Sequence, residues 1–182
     1  MFLATTGLTE AWNPDDEVMV LHRGCLRADR EAQWRARRLQ VAPNPWEDVE
    51  VTERAKDYCR ETYEYLLPKV ASVINRLHGR REPVAYWRIV LGPWLLHYVH
   101  VVYERYCSLR AAEQVGAGLR TRVLGESARI TPTDTRAFLD LAAWSDVFNL
   151  EIYSHLLQHA GFSDIACEEL PPDLEADRKS VV

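Results

Sequence analysis

The first 45 residues contain short apolar runs separated by residues that form turns. The runs cover residues 2–6, 17–22 and 39–42, and a glycine or proline follows each within two positions. Nearly continuous apolar runs of this length are typical of parallel strands buried on both faces. Asp29 can cap a short helix, to about residue 38, between the second and third runs. This order predicts a helix-rich α/β fold with a small Rossmann-like parallel sheet.

The middle of the chain carries a helical period instead. Apolar residues recur every three or four positions over residues 48–78, and Pro83 opens a second helical segment that runs to about residue 115. Two features interrupt these segments. Pro68 predicts a kink or split in the first, and Gly92-Pro93 predicts a break in the second.

The last third of the chain predicts a short strand and two helices. The strand covers residues 122–124, and the helices cover about 134–141 and 148–159. Residues after 168 are rich in proline and charge, which is typical of a segment that frays. We therefore expect one helix-rich α/β domain over residues 1–168 and a flexible tail over residues 169–182.

The composition is that of an ordinary globular protein. Of the 182 residues, 47% are hydrophobic and 27% are charged, and the net charge is −5. This charge argues against a nucleic acid partner, because phosphate binding needs a basic face. The chain has one basic cluster, which consists of Arg27, Arg30 and residues 35–38. Acidic stretches nearby in the sequence balance its charge. We interpret it as a solvated helix face, with an anionic ligand as the less favoured alternative.

Two further observations bear on the compartment. The four cysteines are widely spaced and form no Cys-x-x-Cys motif, so they predict reduced thiols. The apolar stretch over residues 84–103 is interrupted by Arg88, Gly92-Pro93 and two histidines. It predicts a buried, kinked helix and no transmembrane segment. Since the first residues do not have the pattern of a signal peptide, we expect the protein in the cytoplasm.

Two sets of side chains have the helical spacing of metal ligands. They are His97, His100 and Glu104, and Glu151, His155 and His159. The favoured alternative is that these histidines are satisfied by neighbours or lie on a helix surface. The second set lacks the glutamate that directly follows the first histidine in zinc proteases. The sequence also has no glycine-rich phosphate motif and no Gly-x-Ser-x-Gly, so we predict neither a metal nor another cofactor.

The loop after the second predicted strand carries candidate chemistry. His22, Arg23 and Gly24 lie at the carboxyl edge of the predicted sheet, where open α/β sheets bind ligands. An arginine there fits a phosphate or a carboxylate, and a glycine lets the backbone approach a ligand. A tight turn with a structural arginine is an equally good interpretation.

A second candidate is the aromatic segment near the helix break. Trp87 and Trp94 are seven residues apart and share a helix face, and Arg88 must be paired or reach a cavity. These residues can form a sugar- or phosphate-binding wall, whereas the favoured alternative is a core helix with a buried ion pair. Asp146 or Asn149 is interpreted as the N-cap of the last helix.

Three segments together resemble a known family. They are residues 1–6 with Trp12, Val20-Leu21 and Cys25; residues 86–95, Tyr-Trp-Arg-Ile-Val-Leu-Gly-Pro-Trp-Leu; and residues 146–149 with Tyr153. They resemble the N-terminal part of a transferase family encoded in O-antigen and other surface-polysaccharide gene clusters. The resemblance spans nearly the whole chain, and residues 86–95 are its most distinctive part.

The resemblance implies a glycosyltransferase with two Rossmann-like halves, of which this chain is the acceptor-side half, a truncated gene product or a subunit that needs a partner. The expected partners are a nucleotide-sugar or a polysaccharide-precursor acceptor, and a partner chain that supplies the donor-binding half. With such an activity, His22 is the candidate base. Arg23 and Arg88 are candidate phosphate or acceptor contacts, and Trp87 and Trp94 are a candidate sugar platform.

Two further functions stand as alternatives. A non-catalytic assembly module would use the aromatic helix over residues 84–106, since Trp and Tyr are favoured at interfaces. A small histidine metalloenzyme would use one of the two histidine sets, and it predicts bound metal in stoichiometric amount.

Overall fold

The computed structural model describes residues 1–125 and 130–170, which include a sheet of five parallel strands. The strands are β1 (Phe2–Ala4), β2 (Val18–Val20), β3 (Leu39–Val41), β4 (Leu119–Val123) and β5 (Ile165–Glu169). Their order across the sheet is β3-β2-β1-β4-β5. The predicted fold class, a helix-rich α/β fold with a Rossmann-like parallel sheet, is therefore confirmed.

Helices connect and cover these strands. They are α1 (Glu31–Arg35), α2 (Val49–Leu77), α3 (Val84–Val90), α4 (Gly92–Val115), α5 (Thr135–Trp144) and α6 (Asp146–His159). Helices α2 and α4 pack side by side through an apolar seam that includes Cys59, Leu67, Leu95 and Val99. The seam leaves the carboxyl-terminal half of α4 free to pack on the sheet.

The strand order reverses at β1. From β1 the chain steps outward to β2 and β3, and after the long helices it returns to the other side of β1 as β4. Phe2 pairs with Val18 of β2 on one side and with Arg120 of β4 on the other. Ligands of open α/β folds bind outside the carboxyl ends of the strands at such a reversal.

The sheet provides the centre of the hydrophobic core. Leu3 and Met19 from neighbouring strands are completely buried, and Leu109 of α4 and Tyr153 of α6 pack in the same cluster. Burial of whole apolar strands explains why these segments read as continuous apolar runs in the sequence.

Several element boundaries differ from the sequence-based expectations. Pro68 lies inside the single helix α2, so the predicted split there is wrong, whereas the predicted break appears between α3 and α4. Helix α6 begins at Asp146, two residues earlier than expected. Its N-cap is Ser145, whose hydroxyl accepts a hydrogen bond of 3.2 Å from the Phe148 N–H. The interpretation of Asp146 or Asn149 as the cap is therefore wrong.

The strand β5 was absent from the sequence-based expectations. It includes Glu169, and the N–H of the buried Leu170 donates a hydrogen bond of 2.8 Å to the Val123 carbonyl. The rest of the expected tail, residues 171–182, lies outside the described residues. Within residues 1–125 and 130–170, no helix has the length and apolarity needed to cross a membrane.

Candidate functional site

A pocket of about 490 Å³ opens beyond the carboxyl ends of β1 and β2. We call it the sheet-edge pocket. Its walls come from the loops after the two strands, from α4, and from the junction between α5 and α6. The residues that matter for its chemistry are His22, Arg27, Arg105, Trp144, Asp146 and Asn149. The pocket therefore lies at the sheet edge where the topology predicts a ligand.

The ends of β1 and β2 are fixed by hydrogen bonds to one carbonyl. Ala4 O accepts a hydrogen bond of 3.0 Å from Leu21 N–H, and the Cys25 thiol donates to the same oxygen at 3.8 Å. Thr5 and Thr6, which follow directly, are buried and line the pocket. The two loops thus leave the sheet in a defined direction.

His22 presents its imidazole to this pocket. The residue is exposed at the pocket side, yet enough protein surrounds the ring that desolvation lowers its pKa from the ordinary 6.5. The carboxylates of Glu104 and Asp146 oppose this shift and the Arg105 guanidinium adds to it. The imidazole is therefore neutral at neutral pH, which is the form that can accept a proton.

Gly24 lies directly against this imidazole. A Cβ added to Gly24 would come within 2.8 Å of His22 Nδ1, which is closer than atoms of two side chains normally approach. The glycine therefore makes room for the ring at the pocket wall. The sequence-based expectation was different, namely that Gly24 lets the backbone approach a ligand, and it stays a prediction.

Cys25 is not a nucleophile in this arrangement. Its side chain is buried, and desolvation raises the pKa of the thiol to about 12. The protonated sulfur lies 3.9 Å from His22 Nε2. Because the thiolate is the reactive form of cysteine, Cys25 acts as a packing residue beneath His22.

Asp146 joins three segments of the pocket wall. Its Oδ1 accepts a hydrogen bond of 2.9 Å from Gly7 N–H, and its Oδ2 accepts one of 2.9 Å from Arg27. Arg27 also donates to Asp29, at 3.0 Å, from its Nε. The hydrogen bonds to Asp29 and then to Asp146 raise the pKa of the guanidinium, which stays charged. Arg27 is thus part of the pocket, and its interpretation as a solvated helix-face residue is wrong.

Arg105 and Asn149 hold the junction between α5 and α6. Arg105 donates hydrogen bonds of 2.9 Å to Ala142 O and 3.0 Å to Asn149 Oδ1. The Asn149 amide donates to Ala142 O at 3.0 Å and to Ser145 O at 2.9 Å. These bonds fix the chain between Ala142 and Ser145, which is the segment that carries Trp144.

The other predicted site residues do not meet at this pocket. Arg23 follows His22 but is exposed and does not line the pocket. Trp87 is buried, and its indole N–H donates a hydrogen bond of 3.0 Å to Asn75 Oδ1. Arg88 makes two hydrogen bonds, of 2.6 and 2.7 Å, to the carboxylate of Glu64 on an exposed surface. The expected ion pair therefore exists at the surface and not in the core.

Trp94 lies in a different, mainly apolar pocket of about 590 Å³ between α4, α5 and α6. Its ring stacks on Tyr98 with centroids 5.1 Å apart, and it meets Phe138 edge to face at 6.3 Å. Trp87 and Trp94 consequently do not form one platform. The sugar wall that they were expected to share is not present in that form.

One member of each histidine set has a contact inside the protein. His100 Nδ1 lies 2.8 Å from Leu96 O on its own helix, and Glu151 accepts a hydrogen bond of 2.8 Å from Ile130 N–H. Among residues 1–125 and 130–170, no three His, Cys, Asp or Glu side chains are placed to hold a metal ion.

Sequence reasoning missed most of the sheet-edge pocket. Arg27, Arg105, Trp144 and Asp146 all line it, yet they come from distant parts of the chain. One signal was available for Asp146. Ser145 directly precedes it and is itself a good N-cap, which frees the Asp146 carboxylate for another contact.

The sequence as a whole decides the family. Residues 1–181 match the family model described as LIC12162 family transferase. The chain belongs to the LIC12162 family of transferases. No curated protein and no solved structure matches it significantly. Membership of the LIC12162 family gives transferase as the class of the chain.

Proposed function

We propose that the chain is a glycosyltransferase-type enzyme that acts on precursors of surface polysaccharides such as O-antigen. The donor is a nucleotide-activated sugar, and the acceptor is a hydroxyl group bound in the sheet-edge pocket. The observation that carries the proposal is the neutral imidazole of His22 in a pocket at the strand reversal. Family membership supports the transferase class, and the resemblance of residues 86–95 supports the polysaccharide context.

The reaction needs one proton transfer from the acceptor. The acceptor oxygen bonds to the anomeric carbon of the donor sugar while the bond from that carbon to the phosphate oxygen breaks. The acceptor proton moves to the His22 imidazole, and the nucleotide leaves with the bonding electrons. A base within hydrogen-bond reach contributes about 10²- to 10⁴-fold to such a step.

The remaining groups orient the acceptor. Asp146 and Asn149 supply oxygen acceptors, and Arg27 supplies N–H donors, on the walls around His22. Their mutual hydrogen bonds hold them in place before an acceptor arrives, which lowers the entropic cost of the reactive geometry. We propose that a second half, in a further domain or a partner chain, holds the nucleotide of the donor.

The test is a transfer assay with paired panels of nucleotide-sugars and of mono- and oligosaccharide acceptors. Mass spectrometry identifies a product that equals the acceptor plus one glycosyl residue. His22→Asn should lower the rate at least about 100-fold. His78→Asn, at the exposed end of α2, is the matched control and should retain the rate. A product formed equally fast by His22→Asn would contradict the role of His22 as the base. The absence of product from every pair, with the half that holds the donor nucleotide present in the assay, would contradict glycosyl transfer.

A second candidate function is assembly with another chain through α3. Ile89 is 80% exposed and Val90 is 50% exposed. They form an apolar surface within residues 86–95, the most distinctive part of the family resemblance. If this surface binds a partner, Ile89→Glu should abolish the complex in light scattering while the isolated chain keeps its melting temperature. Arg88→Glu is not a suitable control, because it also breaks the pair with Glu64.

A further inference from the structure

Trp144 has an unusual position for a large apolar side chain. It is 80% exposed, yet it lines a pocket whose other walls are largely polar. Exposed tryptophan contributes unfavourable apolar surface unless something covers it. A ligand in the sheet-edge pocket would cover one face of the indole.

The exposure of Trp144 does not come from a loose chain end. The residue is the last of α5, and the next residue caps α6. On either side of it, the carbonyls of Ala142 and Ser145 each accept a hydrogen bond from the Asn149 amide. These bonds therefore fix the backbone that carries Trp144 at the rim of the pocket before any ligand binds, which lowers the cost of using it as a stacking platform.

The charges of the pocket argue for an uncharged ligand. The charged side chains on its walls are two arginines, Arg27 and Arg105, and two aspartates, Asp29 and Asp146. Each guanidinium is already paired with a carboxylate, Arg27 with Asp146 and Arg105 with Glu104. His22 adds no charge when its pKa is lowered. A phosphate would have to displace these carboxylates, whereas a hydroxyl group can add to them as donor or acceptor.

We propose that the acceptor bound in this pocket is a neutral sugar ring, with Trp144 as its stacking platform. The proposal rests on the proposed function in that it takes the sheet-edge pocket as the acceptor site. The apolar C–H face of a pyranose covers the indole, and its hydroxyls meet Asp146, Asn149 and Arg27. Each polar group of the site needs a hydrogen-bond partner when the ligand is bound, so the site selects rings whose hydroxyls supply those partners. Trp144, in place of Trp87 and Trp94, is the platform.

The experiment is ¹⁹F NMR of the protein labelled with 5-fluorotryptophan. The chain has six tryptophans, and Trp144→Phe identifies the resonance of Trp144. The probes are methyl glycosides of common hexoses and N-acetylhexosamines, with inorganic phosphate at the same ionic strength as the comparison. We expect at least one glycoside to shift the Trp144 resonance in a saturable way and phosphate to leave it in place. The other five resonances serve as internal controls.

The outcomes separate this proposal from the proposed function, because binding needs neither a donor nor the His22 base. Two results overturn the sugar platform. One is no shift with any glycoside up to about 100 mM, which would nearly saturate a complex with a millimolar Kd, and the other is a shift with phosphate alone. A shift of the Trp144 resonance that depends only on protein concentration also overturns it, because it identifies a self-association surface. Where a transfer reaction is available, Trp144→Ala should raise the acceptor KM about tenfold and leave kcat nearly unchanged.

Discussion

Arg27 and Asp146 lie 119 residues apart in the chain, yet the guanidinium of one donates a hydrogen bond of 2.9 Å to the carboxylate of the other. Gly7 lies beneath this pair, and a Cβ there would come within 2.7 Å of Arg27 Cδ. The pair thus links the loop after β2 to the start of α6 across the loop after β1. This contact forms the wall of the sheet-edge pocket opposite His22.

Removal of the Asp146 carboxylate should destabilise the protein. The Asp146 side chain is only 18% exposed and accepts hydrogen bonds from both Gly7 and Arg27. Asp146→Ala should lower the free energy of unfolding by about 1–3 kcal/mol, as expected for hydrogen bonds to a charged group. Asp29→Ala is the matched control, because Asp29 pairs with the same arginine but is 60% exposed. Asp29→Ala should cost clearly less in urea unfolding, because exposed ion pairs contribute little to stability, and equal losses would contradict the role of Asp146.

Gly24→Ala should impair transfer by displacing His22. The new methyl group would overlap the imidazole, so the ring must leave its position at the pocket wall. The rate should fall to near that of His22→Asn while the melting temperature changes little, since the loop is exposed. The double variant tests the mechanism. If Gly24→Ala acts through His22, it should add almost nothing to His22→Asn, whereas additive losses would show an independent effect.

The stability of the protein should depend on the protonation of His22. Desolvation lowers its pKa in the folded state below the ordinary 6.5, so the unfolded state binds the proton more readily. The contribution of neutral His22 is therefore fully present above pH 6.5, and it is lost as the pH falls through the folded-state pKa. Urea unfolding of wild type and His22→Asn should show a difference that changes only below pH 6.5. The transfer rate should likewise fall only below that pH, and a loss of rate at higher pH would contradict a neutral His22 base.

Two tryptophans allow the contribution of an indole N–H hydrogen bond to stability to be measured by comparison. Trp87 donates a hydrogen bond of 3.0 Å to Asn75, whereas the buried Nε1 of Trp46 has no hydrogen-bond partner among the described residues. Trp87→Phe and Trp46→Phe remove the same atoms. Only the first removes a hydrogen bond that the folded protein makes, although Asn75 Oδ1 still accepts one of 3.1 Å from Glu82 N–H. Trp87→Phe should therefore cost about 1 kcal/mol more in the free energy of unfolding. A larger loss for Trp46→Phe would show that its N–H is satisfied in solution.

The core of the sheet could be predicted from sequence, but the edge strand β5 could not. The strands β1 and β2 are buried on both faces, so their apolar runs are continuous and recognisable. In β5 only Ile165 is buried, and the four residues after it are exposed. An edge strand with this pattern, ending in two glutamates, has no apolar run to distinguish it from a tail. Its place is set by pairing with β4, which local sequence does not encode.

The candidate site could likewise be predicted only in part from the sequence. His22 could be predicted because it follows a recognisable strand, and the carboxyl edge of a sheet is a common place for ligands. Asp146 and Arg27 could not, because each is explained only by the other, across more than half of the chain. The exposure of Trp144 is likewise a property of the tertiary structure. Trp87 was a candidate because of its residue type and its spacing from Trp94, yet the structure buries its side chain.

The pairing of β1 with β4 has a consequence for how the chain is made. Leu3 of β1 accepts a hydrogen bond from Thr121 of β4, 118 residues later. At a synthesis rate of about 5–20 residues per second, β1 leaves the ribosome on the order of ten seconds before that partner exists. During this interval the central strand of the finished sheet is an edge, paired at most with β2. An unpaired edge is the part of a sheet at which strands of different chains pair, so the nascent chain is open to intermolecular pairing until β4 is made.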